Sequence, residues 1–533
     1  MSVALERPAR RESGGLVASV LSTDHKRVGL SIMVVAFWWF LLDGVFALLM
    51  RTELARPGLQ LMTRDTYNQL FTEHGSGMIY LFVTPLALGL GVYFVPLMVG
   101  AAGIAWPRAA LAAFWLLIAG GLTMDSGWFT AHGAAKFGWT AFYPLSDANR
   151  SPGLGMDLWI VGVSLATLAE LVLAACILAT ILRHRAPGMT MLRLPVFAWS
   201  QVATTLMVLM SFPALIVAMA LLWWDRHLGG VFDTPGGPAA YQHLFWFYGH
   251  PVVYVMFFPF VGIAAEVIAV FSRRRFFGYT AMVLSFLAFA GLSMSVWAHH
   301  MFATGQVTNQ YFSLTSTALI VPAGVEYFDM IATMVGGAIL LRTPMLFAVG
   351  FLLQFLIGGL TGIIVASPPL DYHVHDTQFV VAHLHYVLFA GSIFAFFAGV
   401  YYWWPKIFGF FLRERLGKLH FALMVVGTNL TFFPLHVLGY EGMARRVADY
   451  SPHSGWTDLN ELSTLGSYLL AGSVLVFLAN VLVSTRRRQP APADPWQGHT
   501  LEWATTSPPP PGNFDSLPEI RSYAPLYDAR VRT

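Results

Sequence analysis

The chain is almost without cysteine. Its single thiol, Cys176, excludes an internal disulfide and any metal site built on two thiolates. Charge is scarce as well: Asp, Glu, Lys and Arg make up 11% of 533 residues, against about 25% in an ordinary soluble domain. That shortage excludes a free-standing soluble enzyme. A net charge of only +3 leaves no reason to expect a nucleic-acid partner. The first 25 residues, "MSVALERPARRESGGLVASVLSTDH", lack an apolar core, so no cleaved signal peptide is expected. What is abundant is hydrophobic side chain, 56% of the residues with a mean hydropathy of +0.61, as in an integral membrane protein.

Apolar stretches long enough to cross a bilayer fall near 28–50, 74–101, 108–128, 155–183, 195–223, 241–272, 278–298, 312–340, 345–367, 376–403, 418–440 and 463–485. The expected fold is therefore an all-α membrane protein, with about twelve transmembrane helices in one bundle over 28–486. A segment 1–27 precedes the bundle and a proline-rich tail, 487–533, follows it. The tail, with "SPPPPGN" at 507–513, should be extended and surface-bound, without a core of its own. Basic clusters lie at "RPARR", "LRHR" (182–185), "SRRR" (272–275), "PKIFGFFLRERLGK" (405–418) and "STRRR" (484–488). In a twelve-span topology all five share one side, which the positive-inside rule makes cytoplasmic, with both termini there.

Ionisable groups inside a span are costly and point to function. Among 17 histidines, His74, His243, His250, His299, His300, His383 and His385 sit in or at the ends of apolar helices. One such histidine would be explained by a hydrogen bond between helices. Seven suggest ligation, since neutral imidazole suits iron, copper and zinc. His250 and Tyr254 in "GHPVVY" share a helix face. His299 and His300 could converge on one ion if the helix is irregular or ending there. With His250 they would form an all-nitrogen, three-coordinate site suited to copper. In "VVAHLHYVLF", His383 and His385 point to nearly opposite faces. One can ligate an iron beside that copper; the other can face a second iron, with His74 as its opposite ligand. Iron held by two histidines suits electron transfer, and iron held by one suits oxygen chemistry.

The ordered motifs "HGSGMIYLFVTPLALGLGVYFVPLMVGA", "HLFWFYGHPVVYV", "WAHHMFATG", "HDTQFVVAHLHYVLFAGSIFAFFAGVYYWWPKIFG" and "FFPLHVLGYEGMARR" resemble subunit I of the haem–copper oxidases over nearly the whole chain, from "STDHKRVG" to "EWATTSPPPPGNF". The resemblance implies two haems of type A and one copper ion. His74 and His385 would hold the low-spin haem and His383 the high-spin one. His250, His299 and His300 would bind copper, with Tyr254 covalently joined to His250. Arg51 would lie near the low-spin haem's formyl group. Arg445 and Arg446 would meet the haem propionates, with Asp371 a propionate partner. His375 and Asp376 match the site of a magnesium ion. The implied reaction is reduction of O2 to water, with electrons from cytochrome c or quinol. The family's dinuclear copper centre uses two cysteines of another subunit. One cysteine here therefore implies a partner subunit II, beside subunit III-like chains, if cytochrome c is the donor. The arginine- and alanine-rich ends favour a bacterial inner (plasma) membrane over a mitochondrial one.

The family's proton routes are poorly matched. Gly103 stands where an aspartate is usual and Val252 where many members have glutamate. A subgroup without that glutamate has tyrosine and serine before "HP"; here Tyr248 is present but Gly249 replaces the serine. Glu326 occupies the position of a usual lysine, with Ala323 in place of threonine. Glu326 is thus a candidate proton carrier, or a carboxylate paired to a base at a helix end. Asp43, Glu170, Glu266 and Asp329 are further acids in the spans, each open to either a proton route or a structural bond. The alternatives to an oxidase are a nitric oxide reductase of the same superfamily, which would lack the tyrosine and place glutamates by a non-haem iron, or a non-catalytic haem-binding paralogue.

Overall fold

The computed structural model describes residues 21–532, so most of the expected segment 1–27 lies outside the described residues. Among the described residues, eleven helices are long and apolar enough to cross a membrane. They are α1 (His25–Glu53), α2 (Arg64–Met98), α3 (Pro107–Phe129), α4 (Leu154–Arg183), α5 (Val196–Leu228), α6 (Gly237–Phe271), α7 (Tyr279–Thr304), α9 (Thr343–Val365), α10 (Gln378–Phe408), α11 (Glu414–Tyr440) and α12 (Thr457–Arg486). The stretch expected as one span at 312–340 is instead broken into α8a (Asn309–Ala318) and α8b (Ile320–Met334). Pro322 accounts for the break: it has no N–H to offer the carbonyl of Ala318, four residues back. Among the described residues the extended pairings are two isolated bridges, Thr377↔Ala444 and Phe410↔Pro490.

Consecutive helices pack side by side, α1 on α2, α3 on α4, α4 on α5 and α11 on α12, and α12 returns to α1. Large apolar side chains such as Val34, Trp38, Leu353 and Leu360 face outward, as a lipid-facing surface requires. Inside, Trp159, Tyr248, Tyr386 and Trp403 are fully enclosed.

Three departures from α geometry shape the interior. α2 turns to a π-helix over Gly77–Val83, and α10 does so over Leu388–Ile393. Each π-turn begins three residues after a histidine, His74 and His385. Such turns insert a residue and re-aim the side chains on either side. The end of α7, Trp297–Thr304, is a 3-10 helix that carries His299 and His300.

The tail folds closely against the end of the bundle that carries the basic loops. Leu501 and Trp503 join the bundle core, and Trp503 Nε1 donates to Tyr402 Oη at 2.7 Å. Lys406 Nζ donates to the carbonyls of Thr505 at 2.7 Å and Ala493 at 3.0 Å. Asn513 donates to Ala101 O at 2.8 Å, tying the tail to the α2–α3 loop.

Candidate metal centre

The imidazoles of His74 and His385 face each other across the gap between α2 and α10. Their ring planes are within 4° of parallel and their centroids are 6.3 Å apart. That spacing leaves room for one metal atom with a bond of about 2 Å to each ring, the length of a metal–imidazole bond. His74 donates Nδ1–H to Asp43 O at 2.9 Å, and His385 to Val381 O at 2.7 Å. A carbonyl can only accept, so both rings carry their proton on Nδ1 and keep Nε2 free for a metal. The two rings line a cavity of about 540 Å³ together with Phe82, Phe432 and three arginines, Arg51, Arg445 and Arg446. This is the volume of a site for a sizeable organic cofactor. Buried Nε atoms of Arg51 and Arg445 have no hydrogen-bond partner within the chain, so donors wait for the polar edge of such a ligand.

His383 points the other way, as its two-residue offset requires. Its Nδ1 donates to Gly358 O of α9 at 3.1 Å, with Thr361 Oγ1 at 3.0 Å. His383 and His299 lie within electrostatic reach of each other.

His250, His299 and His300 each bring one ring nitrogen to a common point, all within 4.8 Å. His250 Nδ1 is 3.2 Å from His300 Nε2, which is 3.1 Å from His299 Nε2. Two nitrogens each about 2.0 Å from a shared ion stand roughly 3.3 Å apart, so the triad is spaced for one metal. The tautomers agree with that. Ser316 Oγ gives its hydrogen to Phe312 O and therefore accepts from His299 Nδ1–H, at 2.6 Å. His299 Nε2 is left as a bare lone pair aimed at the other two rings, an arrangement a cation satisfies and a proton satisfies only in part. Trp246 stacks on His300 with centroids 3.8 Å apart. The Tyr254 ring lies 4.6 Å from that of His250, whose buried Nε2 has no hydrogen-bond partner.

Beyond the arginines lie the loops that the sequence assigned to propionates and magnesium. His375 donates Nδ1–H to Asp371 Oδ2 at 3.0 Å, and Asp376 pairs with Arg445. The Asp371 bond, with the charges of Asp371 and Asp376, raises the His375 imidazole above its ordinary range against the effect of burial. Burial alone would raise the Asp376 carboxyl, but Arg445, His375 and Arg446 together bring it below its ordinary range. Asp376 and Arg446 both hold left-handed backbone, with φ of 55° and 67°. Such strain in non-glycine residues persists where surrounding contacts enforce it, here the Arg445 N–Asp376 O bond of 2.9 Å.

The remaining candidates separate from this cluster. Ser285 Oγ of α7 gives its hydrogen to Pro322 O at 2.7 Å and stands 3.1 Å from Glu326 Oε1 of α8b, and no ion pair to Glu326 is found among the described residues. Tyr248 is enclosed and its Oη is unpartnered. His243 accepts Trp297 Nε1–H at 3.3 Å and belongs to neither histidine group. Ser316 and the carbonyls of Asp43, Gly358 and Val381 escaped sequence reasoning, because no spacing rule reports a partner from another helix or a backbone atom.

The fold and these sites define a class: an integral membrane protein with a paired-histidine cofactor cavity beside a histidine triad. The chain belongs to the Cytochrome C and Quinol oxidase polypeptide I family, whose pattern matches residues 27–469. It is 50% identical to a probable cytochrome c oxidase subunit 1-beta of Nocardia farcinica, over 98% of this chain and 90% of the relative. It is 48% identical to cytochrome c oxidase subunit 1 of Corynebacterium efficiens, over 95% and 88%. A cryo-EM structure of a haem–copper terminal oxidase dimer superposes with a TM-score of 0.73, over 86% of this chain and 84% of that one. At 20% identity, that likeness speaks to the fold alone.

Proposed function

We propose that this chain is the catalytic subunit of a terminal respiratory oxidase that reduces O2 to water, with electrons from cytochrome c. His74 and His385 hold a low-spin haem through Nε2, His383 holds a high-spin haem, and His250, His299 and His300 hold copper. The observation that carries this is the convergence of three ring nitrogens on one point, with Tyr254 against the unpartnered His250 Nε2.

When bound, the low-spin haem conducts electrons and the haem–copper pair binds O2 and reduces it. The chain's own residues do the rest. Carbonyl and hydroxyl partners hold each imidazole in the tautomer that ligates. Tyr254 stands where its phenol can give up an electron together with its Oη proton. Arg445 and Arg446 would oppose the acidic edge of a haem, as paired guanidinium groups are suited to do, and Arg51 would meet its formyl group. Apolar walls keep bulk water out of the cavity, and electrostatic interactions strengthen in a dry site.

The finer assignments extend the same reading. The haems are of type A. A magnesium ion would take His375 and Asp376 as ligands, Asp376 exchanging its pairing with Arg445. Asp371, bonded to His375, is the propionate partner in reserve. A subunit II with a dinuclear copper centre, and subunit III-like chains, complete the assembly in a bacterial plasma membrane. The basic loops and both termini face the cytoplasm. A nitric oxide reductase would want carboxylates at the triad; among the described residues the metal-competent group is three histidines, and Val252 follows the His250–Pro251 pair. The complex purified with its partners should hold two haems and one copper per chain and consume O2 with reduced cytochrome c. Consumption of NO in its place would overturn the reading.

A further inference from the structure

Glu170 lies in the middle of α4, and both of its carboxyl oxygens are buried without a hydrogen-bond partner among the described residues. A carboxyl inside a membrane helix is costly and is kept there either by a partner or by a task. No partner is seen, so the surroundings must supply the task.

Three helices meet beside it. A Cβ on Gly91 of α2 would stand 2.6 Å from Gln201 Oε1 of α5 and 2.8 Å from Ile177 Cδ1 of α4. Seven residues make about two helical turns, so Thr84 and Glu170 lie on the same faces of α2 and α4 as Gly91 and Ile177, about 10 Å further from the basic end. Thr204 follows Gln201 by about one turn on α5. Gln201 Oε1, Thr204 Oγ1 and Thr84 Oγ1 are all buried without partners, like Glu170 itself. Buried polar atoms in such a row are where water molecules lodge in a protein interior. Further along, Tyr248 stacks on Tyr80 at 6.2 Å and touches Phe212 of α5 at 4.9 Å. Glu170 is within electrostatic reach of both tyrosines. Tyr248 precedes His250 by two residues, so its side chain leaves the opposite face of α6 from the triad and packs toward α2 and α5.

We propose that Glu170 is the proton-holding group of a route that runs from the basic end, past Gln201, Thr204 and Thr84, as far as the stacked Tyr80 and Tyr248. The inference rests on the oxidase reading. The neutral carboxyl releases its proton toward the Tyr80–Tyr248 pair, and the carboxylate takes another from water arriving along the Gln201–Thr204 side. Only O–H bonds break and form, and no electron moves. Tyr248 remains a neutral hydroxyl that orients the chain. Glu326 is a weaker candidate, since one of its oxygens already stands 3.1 Å from Ser285 Oγ whereas both of Glu170 are unpartnered among the described residues.

The test uses the whole complex with Glu170→Gln and Glu170→Asp. The glutamine variant should lose O2 turnover by roughly 10²-fold, the range a positioned proton donor contributes. Its CO-bound reduced spectrum should stay that of the parent. The infrared reduced-minus-oxidised difference should lose a protonated-carboxyl C=O band, which Glu170→Asp restores at a shifted frequency with part of the turnover. Parent-like turnover in Glu170→Gln with the band intact overturns the proposal. If Glu170→Gln fails to assemble, Thr204→Val and Gln201→Leu decide: slowed proton uptake supports the route, and unchanged uptake overturns it. A parent complex that consumes no O2 refutes the oxidase reading, and the infrared band then judges Glu170 separately.

Discussion

In the proposed function, Ser316 is the residue on which copper binding at the triad depends without touching the metal. Its hydroxyl accepts His299 Nδ1–H at 2.6 Å while giving its own hydrogen to Phe312 O. Ser316→Ala removes one oxygen, barely changes volume and strands a buried N–H, which costs about 1–3 kcal/mol. The ring escapes that cost by moving its proton to Nε2, the nitrogen aimed at the metal. Each copper bound must then reverse the exchange. Loss of such an outer partner lowers metal affinity by roughly 10–100-fold, or about 1.4–2.7 kcal/mol. The assay is copper retained per chain against a graded copper(I) chelator, with haem content as the control. Ser316→Thr, which keeps the hydroxyl, should hold copper like the parent. Ser316→Ala binding copper with parental affinity would refute the tautomer argument.

Other outcomes follow from the same geometry. Tyr254→Phe should keep both haems, copper and CO binding yet lose turnover by roughly 10²-fold or more, read as O2 uptake. A Cβ on Gly77 would collide with the Asp43 carboxylate, whose residue also supplies the carbonyl that holds His74. Gly77→Ala should therefore shift the low-spin absorption band at unchanged haem content, with an overpacking cost of about 1–3 kcal/mol seen in the melting temperature. In the tail, burial pushes the Glu502 carboxyl up to about 7 from 4.5, against the opposing hydrogen bonds of Thr500 and Trp403. The folded tail thus favours the protonated form. Its stability is full below about 4.5 and is lost as pH rises through about 7, by up to roughly 3 kcal/mol. The protection factors of the amides of residues 499–505, which remove the intrinsic rise of exchange with pH, should fall between about pH 4.5 and 7 in the parent and stay level in Glu502→Gln.

The bundle was legible because lipid demands long apolar helices, and each histidine in a span is an exception to that demand. The two-residue step in "HLH" foretold two sites on opposite faces, and the adjacent His299 and His300 required an irregular helix end, which the 3-10 turn provides. The break at Leu319 was readable in principle from Pro322, but apolar composition masked it. The π-turns after His74 and His385 leave no periodic trace, since one inserted residue is invisible in hydropathy. The tail's polar, proline-rich composition concealed how Leu501, Trp503, Phe514, Leu517 and Ile520 reach the core, because five scattered apolar residues suffice when a preformed surface awaits them. Ser316 and the carbonyl partners depend on three-dimensional neighbours and were out of reach.

The most direct test of the account is the dithionite-reduced spectrum of the purified complex with and without carbon monoxide, recorded beside O2 uptake driven by reduced cytochrome c. The proposed pair of haems, one closed by His74 and His385 and one left open by His383, predicts that about half of the haem responds to CO, with cyanide-sensitive O2 uptake. No CO-reactive haem, or CO binding accompanied by NO consumption without O2 turnover, would contradict it.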